Sequence, residues 1–331
     1  MNTTEHYTAW AMHPPAIAAM NAEIQSMPAD LLAARVEAAE RRSSQARPAL
    51  FDRIGRIAVV NIIGVITRRP SIYSMLFGGA SSLDIADAVT AAADDKSIES
   101  VVLRIDSPGG EVDGVPVAAE AIRRAGSIKP VLAVGDGMIA SAAYWLASQA
   151  SRIITTHDSN QTGSIGVRAI VTDSSEAANK AGLRVVDFST SPLKSAGAAG
   201  LPIGEEVADD ISREVASWFR RFTGDIGRGR SGSHISMGKV ATGRVWFGSE
   251  AVGLGLIDEI KPLAAVLGEI RGASASRRID AAYNPTSGSR SRSTLARLRL
   301  ALAEAPEPLH AASSHTRATL ARLAIAEREV V

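Results

Sequence analysis

The chain has 331 residues, 46% of them hydrophobic and 21% charged, with a net charge of +1; this is enough apolar material for one large domain or two small ones, and the charge alone names no partner. It has no cysteine, which excludes disulfides, thiol catalysis and thiolate metal sites. The six histidines (His6, His13, His157, His234, His310 and His315) lack metal-ligand spacing, no segment approaches the ~20 apolar residues of a membrane span, and no G-x-x-x-x-G-K-S/T loop is present, so neither metal, cofactor, ATP nor membrane is expected.

Residues 1–50 read as a helical leader and linker. Its opening lacks the basic and apolar segments of a signal peptide, so a cytoplasmic protein is expected. Pro14 and Pro15 suit a helix start, and the stretch from Ile17 to Ala39 has helical spacing. At Ile57 the texture changes to IAVVNIIGVI, a β-branched run typical of a buried strand. Helices are then expected at 82–94, 115–124, 141–148 and 174–181, alternating with strands at 101–106, 130–135, 152–156 and 184–189. That alternation predicts βαβ units and an α/β fold with a parallel sheet. A helix over 205–223 carries an apolar stripe that includes Trp218, Phe219 and Phe222, either a subunit contact or a face turned to its own core. Residues 243–260 supply a turn, a short helix and a closing strand. The central domain so outlined spans 51–270. Residues 271–331 form a basic Ser/Arg-rich tail with ten Arg against five acidic residues and two short helical stretches, 295–305 and 316–329.

Reaction sites in parallel sheets lie beyond the carboxyl ends of the strands, and three segments arrive there. In IDSPGGEVDG (105–114), Gly109 and Gly110 bare their backbone N–H groups, which suits an oxyanion site or a plain strand-to-helix turn. In GDGMIASAAYWLAS (135–148), Ser141 stands at a strand-to-helix junction between alanines, as a nucleophile or as a helix cap. In STSPLKSAGAAGLP (189–202), Lys194 is one of only six lysines and lies among small residues, as a surface residue or as a desolvated base. His157, beside Asp158, offers a Ser-His-Asp alternative, although a loop histidine is the plainer reading.

Taken in order, IDSPGG, the Ala-Ser-Ala-Ala-Tyr segment, TGSIGV (162–167), Pro-Leu-Lys-Ser-Ala-Gly (192–197) and GRVWFGSEAVGLGLID (243–258) resemble the signal peptide peptidase A family of Ser–Lys proteases. Within that family the likeness is greatest to the phage capsid-maturation branch, the minor capsid protein C-like proteases. The resemblance covers roughly residues 50–265 and implies a ClpP/crotonase-like fold. It makes Ser141 the nucleophile and Lys194 the base, with the amides of Gly110 and Ala142 as oxyanion donors and Ser164 orienting the lysine. It further implies a protein or peptide substrate, capsid or scaffold proteins as partners, a location in the host cytoplasm or prohead, and a homo-oligomer whose site is shared between protomers. Leu193 stands where many members have tyrosine before the lysine. The alternatives are a crotonase-like acyl-CoA enzyme, which has no need of Lys194, and a capsid or scaffold protein that kept the fold and lost activity.

Overall fold

The run 57–66 forms two strands rather than one, because Gly64 sits at φ +76 between them and turns the chain from one sheet into another. This computed structural model describes residues 10–44, 50–69 and 78–282. In the larger sheet, β3 (Ile57–Ile63), β6 (Ser100–Ser107), β8 (Val131–Ala140), β9 (Arg152–Thr155) and β12 (Glu259–Ile260) run parallel in that order. The last three residues of β8 pair instead with β10 (Gln161–Gly163), which carries antiparallel β11 (Val245–Phe247), while β2 (Asp52–Ile54) pairs antiparallel with β3 at the opposite edge. The smaller sheet has the order β1 (Trp10–Met12), β7 (Gly109–Glu111), β4 (Val65–Thr67), β5 (Gly79–Ser81).

The parallel strands are buried on both faces, as their near-continuous apolar sequences require. On one face Val131 and Ala133 pack with α3 (Ser82–Asp94), α4 (Val115–Ile128) and α5 (Ala142–Ala147) in the main core. On the other, Leu132 and Val134 meet Val266 and Ile270 of α10 (Leu263–Ala282). Helix α10 therefore runs across residue 270, where the tail was expected to begin; residues 283–331, with both helical stretches expected there, lie outside the described residues. The leader is two helices, α1 (Pro14–Ser26) and α2 (Ala29–Ser44), broken at Met27-Pro28 because proline supplies no N–H and constrains the residue before it. Sequence spacing gave no warning of β1.

One expected strand does not form. Residues 184–189 are exposed coil, followed by a single 3-10 turn, Pro192–Ser195. The Asp187 carboxylate accepts the hydroxyls of Ser189 at 2.5 Å and Ser195 at 2.6 Å, which curls the segment onto itself in place of a ladder. Val185, Val186 and Phe188, read as strand residues, face solvent, Phe188 at 95% exposure.

Candidate active site

Between β8 and α5 the backbone of Ser141 takes φ 57 and ψ −119, a conformation that glycine adopts freely and other residues adopt under strain. Surrounding bonds hold it there. Its N–H donates to the Gly163 carbonyl at 2.7 Å, and its own carbonyl accepts the Trp145 N–H at 2.9 Å. Helix α5 is too short to be stable alone and is fastened by its side chains. Tyr144 Oη donates to the Leu256 carbonyl at 2.9 Å. Trp145 Nε1 donates to Asp225 Oδ2 at 2.8 Å, and the indole stacks on Phe222 with ring centroids 4.6 Å apart. Ala140, Ala142 and Ala143 are fully buried, so small residues are what the packing admits here.

The hydroxyl that this scaffold presents is unusual. Ser141 is 1% exposed, and its Oγ has no hydrogen-bond partner among the described residues. A cap would have used that oxygen on the helix amides; no such cap bond forms. Strained backbone and an unpaired buried hydroxyl both cost free energy, and the two coincide at one residue.

Two further segments meet this point. Gly163 ends β10 at φ +123, and a Cβ there would lie 2.7 Å from the Trp246 ring and 2.8 Å from the Arg244 carbonyl. Ser164 follows, buried, at φ 52, its N–H bonded to the Arg244 carbonyl at 2.6 Å. On the other side α5 packs against β7. Gly109 N–H is taken by Ser107 Oγ at 3.1 Å, and Gly110 lies so close to β4 that a Cβ would fall 1.7 Å from the Ile66 carbonyl oxygen. Next to it, burial raises the Glu111 pKa, the Arg68 amide hydrogen bond opposes that rise, and the Asp113 charge adds to it.

Ser141 and Ala142 thus stand at the head of α5, which packs against the strand that holds Gly110, and Ser141 is hydrogen-bonded to Gly163, the neighbour of Ser164; Lys194 lies exposed on a separate turn. Lys194 is exposed on the 192–195 turn, so the desolvation expected of it is not met within one chain. The Ser-His-Asp alternative loses its acid: His157 is exposed, and Asp158 instead accepts both the amide and the hydroxyl of Ser249, which lower its pKa. Of the aromatic stripe, Phe222 belongs to the core, while Trp218 and Phe219 are half-buried. Sequence reasoning missed Gly163 and Asp225. The signal for Asp225 was an acid placed three residues after Phe222 on an apolar face, where it answers a buried indole N–H.

Behind the site, Arg230 is buried and donates to Asp258 at 3.0 and 2.8 Å and to the Gly255 carbonyl at 3.0 Å. Burial alone would raise the Asp258 pKa, but the hydrogen bonds from Arg230 and the Ile153 amide and the charges of Arg230 and Arg152 outweigh it, leaving the pKa lowered. Among the described residues there is no helix long and apolar enough to cross a membrane and no cluster of acids and histidines fit for a metal.

Comparison with known proteins adds an independent line. Residues 123–275 match the family model "Peptidase family S49". The chain is 34% identical over 207 residues to "Protease 4" of Haemophilus influenzae, covering 62% of this chain and 32% of that protein. It is 28% identical over 204 residues to "Capsid assembly protease C" of Escherichia phage lambda, 62% of this chain and 46% of that one. It is 26% identical over 213 residues to "Serine protease SPPA, chloroplastic" of Arabidopsis thaliana, 64% and 31% respectively. The chain spans less than half the length of each of these relatives. A solved structure of a ClpP1 point mutant from Listeria monocytogenes superposes at a TM-score of 0.36 with 16% identity over 62% of this chain and 91% of that one, and the architecture rests on the strand order rather than on that match.

Proposed function

The chain carries a peptidase family S49 domain, and from that premise we propose that it is a serine endopeptidase with Ser141 as nucleophile and Lys194 as general base. The observation that carries this reading is the strained, buried and unpartnered Ser141 hydroxyl. The neutral Lys194 amine takes the Oγ proton as Oγ attacks the peptide carbonyl carbon. Negative charge on the carbonyl oxygen falls to the amides of Gly110 and Ala142; the latter is the first residue of α5 and has no partner within its own helix. The proton then passes to the leaving amine, and water releases the acyl group from Ser141 by the reverse sequence. Ser164 orients the lysine amine. No cofactor is required.

The dyad is completed between protomers. Among the described residues of one chain Ser141 Oγ stands without a partner, and Lys194 is exposed. Around Lys194, Ile170, Leu183, Val185, Val186, Phe188 and Leu193 form an exposed apolar arm that a second copy would cover. Docking of that arm would also supply the desolvation a lysine base needs. The substrates are capsid or scaffold proteins, a choice supported by the likeness to the lambda capsid assembly protease.

The test uses a fluorophosphonate probe and a short peptide substrate. The wild-type protein labels at Ser141 and hydrolyses peptide, whereas Ser141→Ala and Lys194→Ala each do neither. Mixing the two dead proteins under conditions of subunit exchange restores activity. A hydrolytically active Ser141→Ala protein overturns the nucleophile assignment. Exchange without recovery places both residues in one chain. A wild-type protein inert to the probe favours a capsid or scaffold component that lost activity.

A further inference from the structure

The leader strand β1 lies on the one edge of β7 that the core leaves free. Its register is antiparallel, Trp10 opposite Glu111, Ala11 opposite Gly110 and Met12 opposite Gly109. One rung further, the His13 N–H donates to the Pro108 carbonyl at 2.8 Å. In an antiparallel ladder, hydrogen-bonded pairs alternate with non-bonded ones. A bonded pair at His13 and Pro108 therefore makes Ala11 and Gly110 the next bonded pair. The Gly110 amide, assigned above to the oxyanion, points at the Ala11 carbonyl oxygen.

Beyond β1 the chain comes within electrostatic reach of the segment that follows Ser164. Burial, followed by the Arg168 charge, lowers the His13 pKa, and the His13 Nδ1 and Arg168 Nε and Nη2 atoms are buried without partners among the described residues. Arg168 follows Ser164 by four residues, so the leader bridges the two segments that flank Ser141. Met12 is buried against Val65, with Ala16 and Met20 closing over it. An extended peptide is recognised in this way when it adds a strand to an open edge, with backbone bonds supplying affinity.

We infer that β1 occupies the substrate's place, so that the chain blocks its own peptide groove with residues 10–13. This rests on the reading of Gly110 as an oxyanion donor. The site's ligand is an extended peptide strand antiparallel to Gly109–Glu111, whose carbonyl at the Ala11 position receives the Gly110 amide. Substrate gains access only when β1 leaves, and the leader helices tether it close enough to return.

Two full-length variants displace the strand without touching the catalytic groups. Ala11→Pro removes the N–H that β1 donates to Gly110, and Met12→Asp places a carboxylate in the apolar seat beside Val65. Each raises the rate of fluorophosphonate labelling at Ser141 by about tenfold, the scale of one or two lost ladder bonds. A synthetic peptide of residues 8–13 slows labelling of Met12→Asp competitively. Hydrogen exchange on the unmodified protein gives a readout independent of variant folding: the Gly110 amide is protected, and Met12→Asp releases it. Labelling at the wild-type rate in both variants, or a Gly110 amide that exchanges freely in the intact chain, overturns the inference while leaving the protease reading in place. Absence of Ser141 labelling in every form, alongside a protected Gly110 amide, overturns the protease reading instead.

Discussion

Replacing Ser141 by glycine separates what the residue does for chemistry from what it costs the fold. At φ 57 and ψ −119 a Cβ is strained, and such residues store about 1–3 kcal/mol each. Glycine removes that strain at an entropic cost of about 0.5–1 kcal/mol in the unfolded chain. Alanine keeps the strain and removes only the hydroxyl, so comparing the two dead variants isolates the backbone contribution. With strain near the middle of its range, Ser141→Gly is more stable than Ser141→Ala by about 1 kcal/mol, or about 2–4 °C in Tm for a domain of this size. Both variants also lose a buried unpaired hydroxyl, so both exceed the wild type when all three are compared as monomers. Urea or thermal unfolding at one fixed protomer concentration, with probe labelling to confirm inactivity, reads the order directly. A glycine variant no more stable than the alanine one would refute the strain argument and, with it, the view that the fold holds Ser141 in a conformation chosen for reactivity.

Asp225→Ala leaves the buried Trp145 N–H without its acceptor and costs about 1–3 kcal/mol; unchanged unfolding would show that water replaces the carboxylate. Gly110→Ala forces β7 away from β4, because a methyl cannot lie 1.7 Å from the Ile66 oxygen; it lowers stability by about 3 kcal/mol and abolishes hydrolysis, and a folded, active variant would contradict that close approach. Because the folded Asp258 pKa is lowered, its contribution to stability is present above the unfolded value of about 3.9 and is lost as pH falls through the folded value. Asp258→Asn therefore flattens the acid limb of a stability-against-pH curve, and an unaltered limb would assign acid unfolding to other carboxylates. Lys194→Arg yields a folded but inactive protein, since guanidinium does not give up its proton in this range, and retained turnover would remove Lys194 from the mechanism.

The main strands and helices between residues 82 and 155 were legible because each is buried on at least one face and its period survives in the sequence, whereas the three-residue strands β7 and β10 were not expected. Helix 82–94 matches its expected span. Where the reading failed, local chemistry competed with pattern. Val185, Val186 and Phe188 look like a strand, but Asp187 and two serines tie the segment into a coil and no sheet edge reaches it. Gly64 split a continuous apolar run because its positive φ turns the chain, which periodicity does not report. Of the candidate site, Ser141 was readable as a junction residue, whereas Gly109 and Gly110, read as the bared amides of a turn, form strand β7, where Ser107 Oγ takes the Gly109 N–H and β1 lies opposite Gly110. The strain at Ser141 was not readable, since it depends on the Gly163 carbonyl 22 positions away in sequence. The Trp10–Met12 strand was opaque for a similar reason: three residues carry no period, and their partner lies about a hundred positions on.

The parallel pairing of β9 with β12 has a consequence in time. Ile154 waits for Glu259, the Ile153 carbonyl takes the amide of Asp258, and the Tyr144 hydroxyl, from the helix that follows Ser141, donates to the carbonyl of Leu256. At a synthesis rate of about 5–20 residues per second, these partners leave the ribosome roughly 5–20 s after the segment they complete. During that interval the growing chain already contains the Ser141 peptide but lacks the clasp that helps to hold its helix. The Ser141 segment is therefore among the last features of the molecule to mature, because its helix is clasped only once residues 256–260 have been made.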